Sequence, residues 1–465
     1  MIGAASRPRA PVAEGGTDGT DSPGFGGRGR LVMPITIILT EMLSIYIFGL
    51  LTILSRVFIM KAEEALIREL AIICLGLITV GLYFLGERLA VNKKAGRPAL
   101  RIGITGTRGK STLTRLIAAA VREAGYSVLA KTTGSKPVLI LPDGTETEVV
   151  RRGRATVLEQ KKVLKKAADL GVQALVTELM NIHPERGSAE SRRILQPNIL
   201  VITNVRLDHR EEMGRTKRQA AASLAAAIPP GATVFVPETE FYPEFERAAG
   251  RVRSNIVRVA ASRKGDVQTP YSPPFSVGFP GDADLVLAVA RHLGIPEQTA
   301  RRGMAKARPD FGSLKVWEAP LGRSAGPWLL VNAFAANEPE STGLVLERLR
   351  EGLSLSGRPF LGILNFRADR GDRTRQWVEA IDRKFFSGFQ KIYLIGAHIH
   401  ALEFKKRAKG SPRLIPLGGR SAPAIMDHIA AGESEAGVLV GMGNVGGLGA
   451  ALVEHWEAIG RIYAV

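Results

Sequence analysis

Cysteine is almost missing from this 465-residue chain: Cys74 stands alone, inside an apolar run. A disulfide framework or a cysteine-built metal site within one chain is therefore excluded. Reducing cytoplasm is the natural home for whatever part folds in water. Aromatic residues are scarce as well, at 6%. The basic residues are only thinly interleaved with aromatics and no recognition motif accompanies them, which argues against nucleic acid as a partner. No fixed-period repeat runs along the sequence. What is abundant is positive charge, a formal +19. That surplus fits a solvated cationic surface helped by anionic lipid, or attraction of anionic substrates such as a nucleotide.

Residues 1–30 are rich in Gly, Pro, Arg and Asp and show no hydrophobic periodicity. They are expected to be a disordered leader, and Met33 offers an alternative start. The apolar stretch that follows is too long for a signal peptide and no small-residue cleavage site is evident. Residues 31–60 carry charge only at Glu41 and Arg56, a length that can cross a bilayer core, which needs about 20 residues. A second run, 70–85, is uncharged and extends to about 68–91. Its alternative reading is an interfacial or partner-packing helix. Arg28 and Arg30 precede the pair, and Arg88, Lys93, Lys94, Arg97 and Arg101 follow it. By the positive-inside rule, 31–98 is expected to be a transmembrane hairpin with both ends cytoplasmic.

From residue 99 strands and helices alternate, the pattern of a wound parallel α/β sheet. The expected strands include 99–105, 128–130, 174–177 and 199–203, with helices over 113–124, 158–170 and 220–227. The character changes near Pro309. Strands at 328–332, 360–364, 392–395 and 438–440, with a helix over 376–385, point to a second, smaller Rossmann-like α/β domain. The expected division is a central domain at 99–310 and a C-terminal domain at 311–465.

The segment Gly106-Thr107-Arg108-Gly109-Lys110-Ser111-Thr112 lies between the first of these strands and a helix. Unsatisfied backbone N–H groups and the helix dipole favour an anion at such a turn. Lys110 would reach terminal phosphates and the Ser111 hydroxyl would ligate Mg²⁺. The strict Walker spacing is not met, because Ile104 stands where its first glycine belongs.

Ligands of wound sheets gather at the carboxyl ends of strands. Glu178 stands at one such end. Asn204, with Asp208 and His209 a few residues on, stands at another. A carboxylate, an amide and an imidazole beside a phosphate loop can hold Mg²⁺ and steer a γ-phosphate. A lone glutamate after a strand is more often a cap or a salt bridge, so the motif, not the residue, carries this reading.

These positions in this order resemble the Mur ligase superfamily of ATP-dependent amide ligases, and within it the ligase subunit of poly-γ-glutamate synthase, the PgsB or CapB type. The narrower resemblance rests on Lys131-Thr132-Thr133-Gly134, Glu159-Gln160-Lys161, and Asn204-Val205 with Asp208-His209 and Met213-Gly214. It continues in Asn332-Ala333-Phe334-Ala335-Ala336-Asn337 with Glu340-Ser341-Thr342, in Arg367-Ala368-Asp369-Arg370 with Asp372-Arg373-Thr374, and in Gly441-Met442-Gly443-Asn444. The strings cover about residue 101 to the C-terminus, and the apolar N-terminal region suits that membrane-bound type.

The resemblance implies a P-loop Mur-ligase-like central domain and a reaction. ATP would phosphorylate the γ-carboxylate of glutamate or of a growing poly-γ-glutamate chain, and the next amine would displace phosphate. It assigns Lys110, Glu178, His209 and Asn204 to catalysis and Ser111, Glu178 and His209 to Mg²⁺. Nucleotide contacts would come from Gly106 to Thr112, from Arg308 at the hinge, and from Asn332 and Asn337. Arg367, Arg370 and Arg373 are candidate clamps for a glutamate carboxylate, since guanidinium binds carboxylate in a fork; the alternative there is surface pairing with the alternating aspartates. Small membrane subunits and membrane lipid are the implied partners, at the cell membrane. There are departures. Asn332 replaces an Asp and Glu338 a Pro of the Mur pattern, 220–226 lacks the lysine that many Mur ligases carbamylate, and Gly446 stands where a histidine is expected. Two other functions stay open: a folylpolyglutamate-like or peptidoglycan-type ligase for another amino acid, and a P-loop ATPase energising a membrane assembly.

Overall fold

A computed structural model describes residues 35–134, 136–151, 155–180, 183–208, 210–262, 281–322, 324, 326–352, 358–382, 385–397, 399 and 412–463. The leader at 1–30, the start of the first apolar run and His209 lie outside these residues. The chain divides into two compact units, 1–84 and 85–465.

In the first unit the described chain is helical, part of α1 (Ile35–Ala95). Its described side chains from 44 to 84 are exposed, and it is long and apolar enough to cross a membrane. The expected hairpin is not present: α1 is one continuous helix of 61 residues, about 90 Å long at 1.5 Å per residue. The local sequence explains the difference. Residues 61–69 are charged but contain no Gly or Pro, and Ala, Glu, Lys, Leu and Arg are among the better helix formers. Glu64 and Arg68 also fall at i,i+4 with the favourable orientation. Polarity alone does not break a helix.

The second unit holds two sheets. The first is built from β1 (Leu100–Thr105), β2 (Val128–Lys131), β3 (Val138–Ile140), β4 (Glu146–Glu148), β5 (Ala174–Glu178), β6 (Ile199–Ile202), β7 (Thr233–Pro237) and β8 (Asn255–Val259), in the order β4-β3-β2-β5-β1-β6-β7-β8. All neighbours from β2 to β8 are parallel, and β3 and β4 add an antiparallel edge. Helices α2 (Lys110–Glu123), α3 (Glu159–Leu170), α4 (Pro184–Ser188), α5 (Arg210–Met213), α6 (Lys217–Ala225), α7 (Pro243–Arg251), α8 (Asp282–His292) and α9 (Glu297–Ala305) accompany it. One face is packed by Leu113, Leu116 and Ile117 of α2 with Leu285, Val289, Ala300 and Met304 of α8 and α9. The other is packed by Val163 and Leu164 of α3 with Ala221, Leu224 and Phe245 of α6 and α7. Strands covered on both faces read as continuous apolar runs, as Ile199-Leu200-Val201-Ile202 does.

The second sheet comprises β9 (Lys315–Ala319), β10 (Trp328–Asn332), β11 (Phe360–Phe366), β12 (Lys391–Gly396), β13 (Arg413–Gly418), β14 (Val438–Gly443) and β15 (Arg461–Ile462), ordered β13-β12-β11-β14-β10-β9-β15. Its five strands from β13 to β10 are parallel, and β9 and β15 run antiparallel. Helices α10 (Pro339–Gly352), α11 (Gly371–Asp382), α12 (Ala422–Ala431) and α13 (Leu448–Ile459) belong to this lobe. Four tryptophans, Trp317, Trp328, Trp377 and Trp456, anchor its core.

Candidate active site

β1 is paired on one side with β5 and on the other with β6. The chain leaves β1 toward β2 on one side and leaves its neighbour β6 toward β7 on the other, which makes this the switch point where a wound sheet binds ligands. Three strand ends therefore meet: the glycine loop after β1, Glu178 closing β5, and Thr203-Asn204 after β6.

Backbone requirements explain the loop's residues. Gly106 has φ +127°, and a Cβ there would strike Thr203. Gly109, the N-cap of α2, has φ 76° and offers no side-chain cap. The first N–H groups of α2 are thereby left to an anion. The loop is held from β6. Asn204 Oδ1 accepts from Arg108 N at 3.0 Å, Asn204 Nδ2 donates to Arg108 O at 3.1 Å, and Thr203 Oγ1 donates to the same carbonyl at 2.6 Å. Thr107 N donates to Asn204 O at 3.1 Å. Asn204 thus orders the loop.

Lys110 Nζ folds back onto the loop, donating to Gly106 O at 2.8 Å and Thr107 O at 3.3 Å. Desolvation lowers its pKa, opposed by the charges of Glu178 and Asp208. Ser111 Oγ donates to Glu178 Oε2 at 2.7 Å, and Thr133 N donates to that oxygen at 2.7 Å. Ser111 and Glu178, assigned from sequence to one metal site, are thus adjacent. Their oxygens suit Mg²⁺, which takes one or two protein oxygen ligands beside phosphate and water. Among the described residues no three His, Cys, Asp or Glu side chains form a metal cluster.

The C-terminal lobe reaches this loop through its arginines. Asp208, buried, accepts from Arg373 Nε at 3.2 Å and Nη2 at 3.0 Å and from Arg370 Nη2 at 3.2 Å. Arg108 Nη2 lies 3.0 Å from the same carboxylate. Two of the three candidate clamp arginines therefore hold a carboxylate, and it is the protein's own. Arg367 pairs instead with Asp369 at 2.7 Å, largely in solvent, and its guanidinium fills the space beside Gly446.

The remaining sequence candidates are dispersed. Arg308 is exposed and contributes its carbonyl, 3.5 Å from Arg115 Nη1. Asn332 is buried, donates to Ser313 O at 3.1 Å and accepts from Phe334 N at 3.3 Å. Asn337 is buried with its Oδ1 unpartnered among the described residues. Thr112 sits in the first turn of α2, half-buried.

One group near the loop escaped the sequence reading. Arg115, buried on α2, forks onto Glu146 of β4 at 2.5 and 3.1 Å, and its Nε lies 3.6 Å from Asp310 Oδ1. A methyl placed on Gly134 would lie 2.9 Å from Ser111 Oγ and 3.8 Å from Asp310 Oδ2. Asp310 therefore faces the Ser111 side of the loop. Burial raises its pKa, while Arg115 and the Gly312 N–H oppose the rise. The signal available was Arg115 itself, a charge falling among the apolar positions of α2.

Comparison with known proteins agrees with this architecture. Residues 104–270 match the Mur ligase middle domain, and residues 319–459 match the poly-gamma-glutamate synthase CapB C-terminal domain. The chain is 34% identical over 324 residues to the capsule biosynthesis protein CapB of Bacillus anthracis, covering 69% of this chain and 68% of that one. It is 32% identical over 390 residues to the PGA synthase CapB of Bacillus subtilis (strain 168), covering 83% and 96%. Among solved structures, folylpolyglutamate synthase of Mycobacterium tuberculosis, complexed with ADP and AMPPCP, superposes with a TM-score of 0.58 at 17% identity, over 81% of this chain and 95% of that one. E. coli FolC in complex with DHPP and ADP gives 0.57 at 15%, over 80% and 92%. At such identities the structures establish the fold.

Proposed function

The chain belongs to the CapB family of Mur-type, ATP-dependent ligases, and from that footing we propose that it joins glutamate into a γ-linked polymer at a membrane, through an acyl phosphate. The observation that carries the proposal is the group at the switch point: Lys110 and Ser111 on an uncapped helix N-terminus beside Glu178 of β5, with a second lobe pressed onto the same loop through Asp208. The PGA synthase and capsule functions named for its relatives support the polymer.

In this mechanism the backbone N–H groups of 106–111 cradle the triphosphate, and Lys110 leaves the loop carbonyls to neutralise the terminal phosphates. A carboxylate oxygen of glutamate, or of the chain end, attacks the γ-phosphorus and ADP departs. The incoming amine then attacks the carbonyl carbon of the acyl phosphate. The tetrahedral intermediate collapses with loss of inorganic phosphate, and the nitrogen passes its proton to the departing phosphate. Ser111 and Glu178 would hold Mg²⁺, which supplies further charge neutralisation when bound. The role assigned to His209 lies outside the described residues. An acyl phosphate must be kept from water, and the apposition of the two lobes at Asp208 serves that need. Asn204 keeps the loop in shape throughout.

Membrane attachment rests on α1, with its exposed apolar residues on both sides of the charged 61–69 segment. In a bilayer the basic residues that follow the apolar run, Arg88, Lys93, Lys94, Arg97 and Arg101, would be held cytoplasmic. Small membrane subunits and anionic lipid are the proposed partners there.

The test measures phosphate release by membranes containing the full chain and its partner subunits, with and without L- or D-glutamate, against a Lys110→Ala preparation. Glutamate-stimulated release that vanishes in the variant, with γ-linked product, is the expected result. Lys110-dependent release indifferent to every amino acid would sink glutamate ligation and favour an ATPase.

A further inference from the structure

Lys136–Glu454 and Lys217–Glu340 cross between the two lobes in solvent, whereas Asp208 is a buried point where charges of both lobes meet. Its carboxylate is almost wholly buried and shared by three guanidiniums, one from the glycine loop and two from the start of α11. Arg373 is fixed beyond this contact: its Nη1 donates to Asn444 Oδ1 at 2.7 Å. Asn444 is in turn stitched to β11, donating to Asn365 O at 3.2 Å, while Asn365 Nδ2 donates to Asn444 O at 2.5 Å. Arg370 divides its charge between Asp208 and Asp372, at 3.2 and 3.1 Å. Among the described residues three cations thus face two carboxylates in a poorly hydrated space. Desolvation and the neighbouring Arg108 contribute to lowering the Arg373 pKa to about 10, against the pull of Asp208. On the loop side the backbone of Arg108 is pinned by Thr203 and Asn204, and its Nε is buried without a hydrogen-bond partner among the described residues. Among the described residues its side chain is held by the ion pair with Asp208, a partner it can exchange while its main chain stays in place.

We propose that Asp208 is a positioning residue that couples nucleotide binding at the glycine loop to the seating of the C-terminal lobe, by passing its carboxylate from Arg108 to Arg370 and Arg373. A polyphosphate arriving at 106–111 is a stronger attractor for Arg108 than a carboxylate already shared three ways. As Arg108 turns to the phosphate, the Oδ2 of Asp208 is left to Arg373. The fork from α11 tightens, and the second lobe is held closed while the carboxyl group is activated. The arrangement gives the closure an order: nucleotide first, then a sealed cleft. It rests on the reading of 106–112 as the nucleotide loop, but not on which amino acid is ligated.

Hydrogen exchange on the full chain in lipid nanodiscs, with and without a non-hydrolysable ATP analogue and Mg²⁺, tests it. In the unaltered protein the analogue slows exchange both at the start of α2 and along α11, the latter by about 5-fold or more, the range of ordinary site-to-site coupling. Asp208→Asn keeps the protection at α2 and loses it at α11. Arg373→Lys, which keeps the charge but not the fork, does the same and guards against a folding defect peculiar to Asp208. Asp208→Glu restores part of the response. Protection of α11 that survives in both Asp208→Asn and Arg373→Lys overturns the coupling, as does an α11 that ignores nucleotide in the unaltered protein while α2 responds. A glycine loop that shows no protection by nucleotide in the unaltered protein removes the nucleotide-site reading and this inference with it.

Discussion

At the carboxyl ends of β1, β5 and β6 the central sheet delivers a glycine loop, a glutamate and an asparagine. At the corresponding ends of β10, β11 and β14 the C-terminal sheet delivers Asn332, Asn365 and Asn444. Both sets are polar, largely buried and placed where wound sheets bind ligands. They differ in what is left over. In the central lobe α2 starts at Gly109 with no side-chain cap, so its N–H groups await an anion. In the C-terminal lobe the start of α10 already has one: Glu338 accepts from Glu340 N at 2.7 Å and Ser341 N at 2.9 Å. Asn365 and Asn444 bond largely to each other's backbone. A strand end thus becomes a phosphate site through unspent N–H groups, and polar residues alone do not make it one.

The largest way to break this comparison is to remove the cation of the central lobe. Lys110→Ala should lower kcat by about 100- to 1000-fold, the usual cost of deleting a group aimed at developing charge. Its melting temperature should not fall, because Lys110 is a desolvated cation whose loss relieves the fold. Glu178→Gln should approach the same loss of kcat while raising the Mg²⁺ concentration needed for half-maximal rate. A Lys110→Ala enzyme that keeps its kcat would remove the distinction between the two lobes.

The complementary change lies at Glu338. Glu338→Ala strips the internal anion from α10 and should cost about 1–2 kcal/mol of stability, as lost helix caps do, read as a lower urea midpoint. Turnover should change little. Were ATP affinity to fall instead, α10 would be serving the nucleotide and the contrast would fail.

A smaller effect is expected at Asn337, whose Oδ1 is buried without a partner among the described residues. A group that pays desolvation in the free protein and bonds a ligand should behave asymmetrically on deletion. Asn337→Ala should raise the KM for ATP by about 3- to 10-fold and leave the melting temperature unchanged or higher. A fall in melting temperature with an unaltered KM would mark Asn337 as ordinary scaffolding.

The same contrast governs how much could be read from the sequence. Gly106 to Ser111, Glu178 and Asn204 were legible because each follows directly on an apolar run whose period announces a strand, and strand ends are where a wound sheet concentrates chemistry. Their neighbours in space follow from chain order. Arg370 and Arg373 were legible as carboxylate binders but not as partners of Asp208, since no local pattern says which carboxylate, substrate or protein, will fill a guanidinium fork. Arg115 and Asp310 are 195 positions apart in numbering and were missed for the same reason. The antiparallel edges β3, β4, β9 and β15 are short and lack the long apolar runs of covered strands. The hairpin expected over 31–98 does not form for a different reason: the charges of 61–69 sit on good helix formers, and the helix propensity of Ala, Glu and Lys carries α1 straight through.

Asp310 offers the finest test of the boundary between the lobes. Burial raises its pKa against the opposing pull of Arg115, so the folded protein binds a proton there more tightly than the unfolded chain does. For an acid shifted in this direction, stability falls as pH climbs from the ordinary aspartate value, about 3.9, through the raised folded value, and the loss is complete above it. Asp310→Asn removes that titration while keeping the shape and leaving Arg115 its fork on Glu146. The urea midpoint of the variant, relative to the unaltered protein, should therefore rise as the pH climbs from about 4 and level off once the raised folded value is passed. A difference that shrinks over the same interval would mean that Arg115 outweighs desolvation. The Asp310–Arg115 contact would then be a stabilising ion pair that fastens the boundary to α2, and the buried carboxylate beside Ser111 would carry no cost for a ligand to relieve.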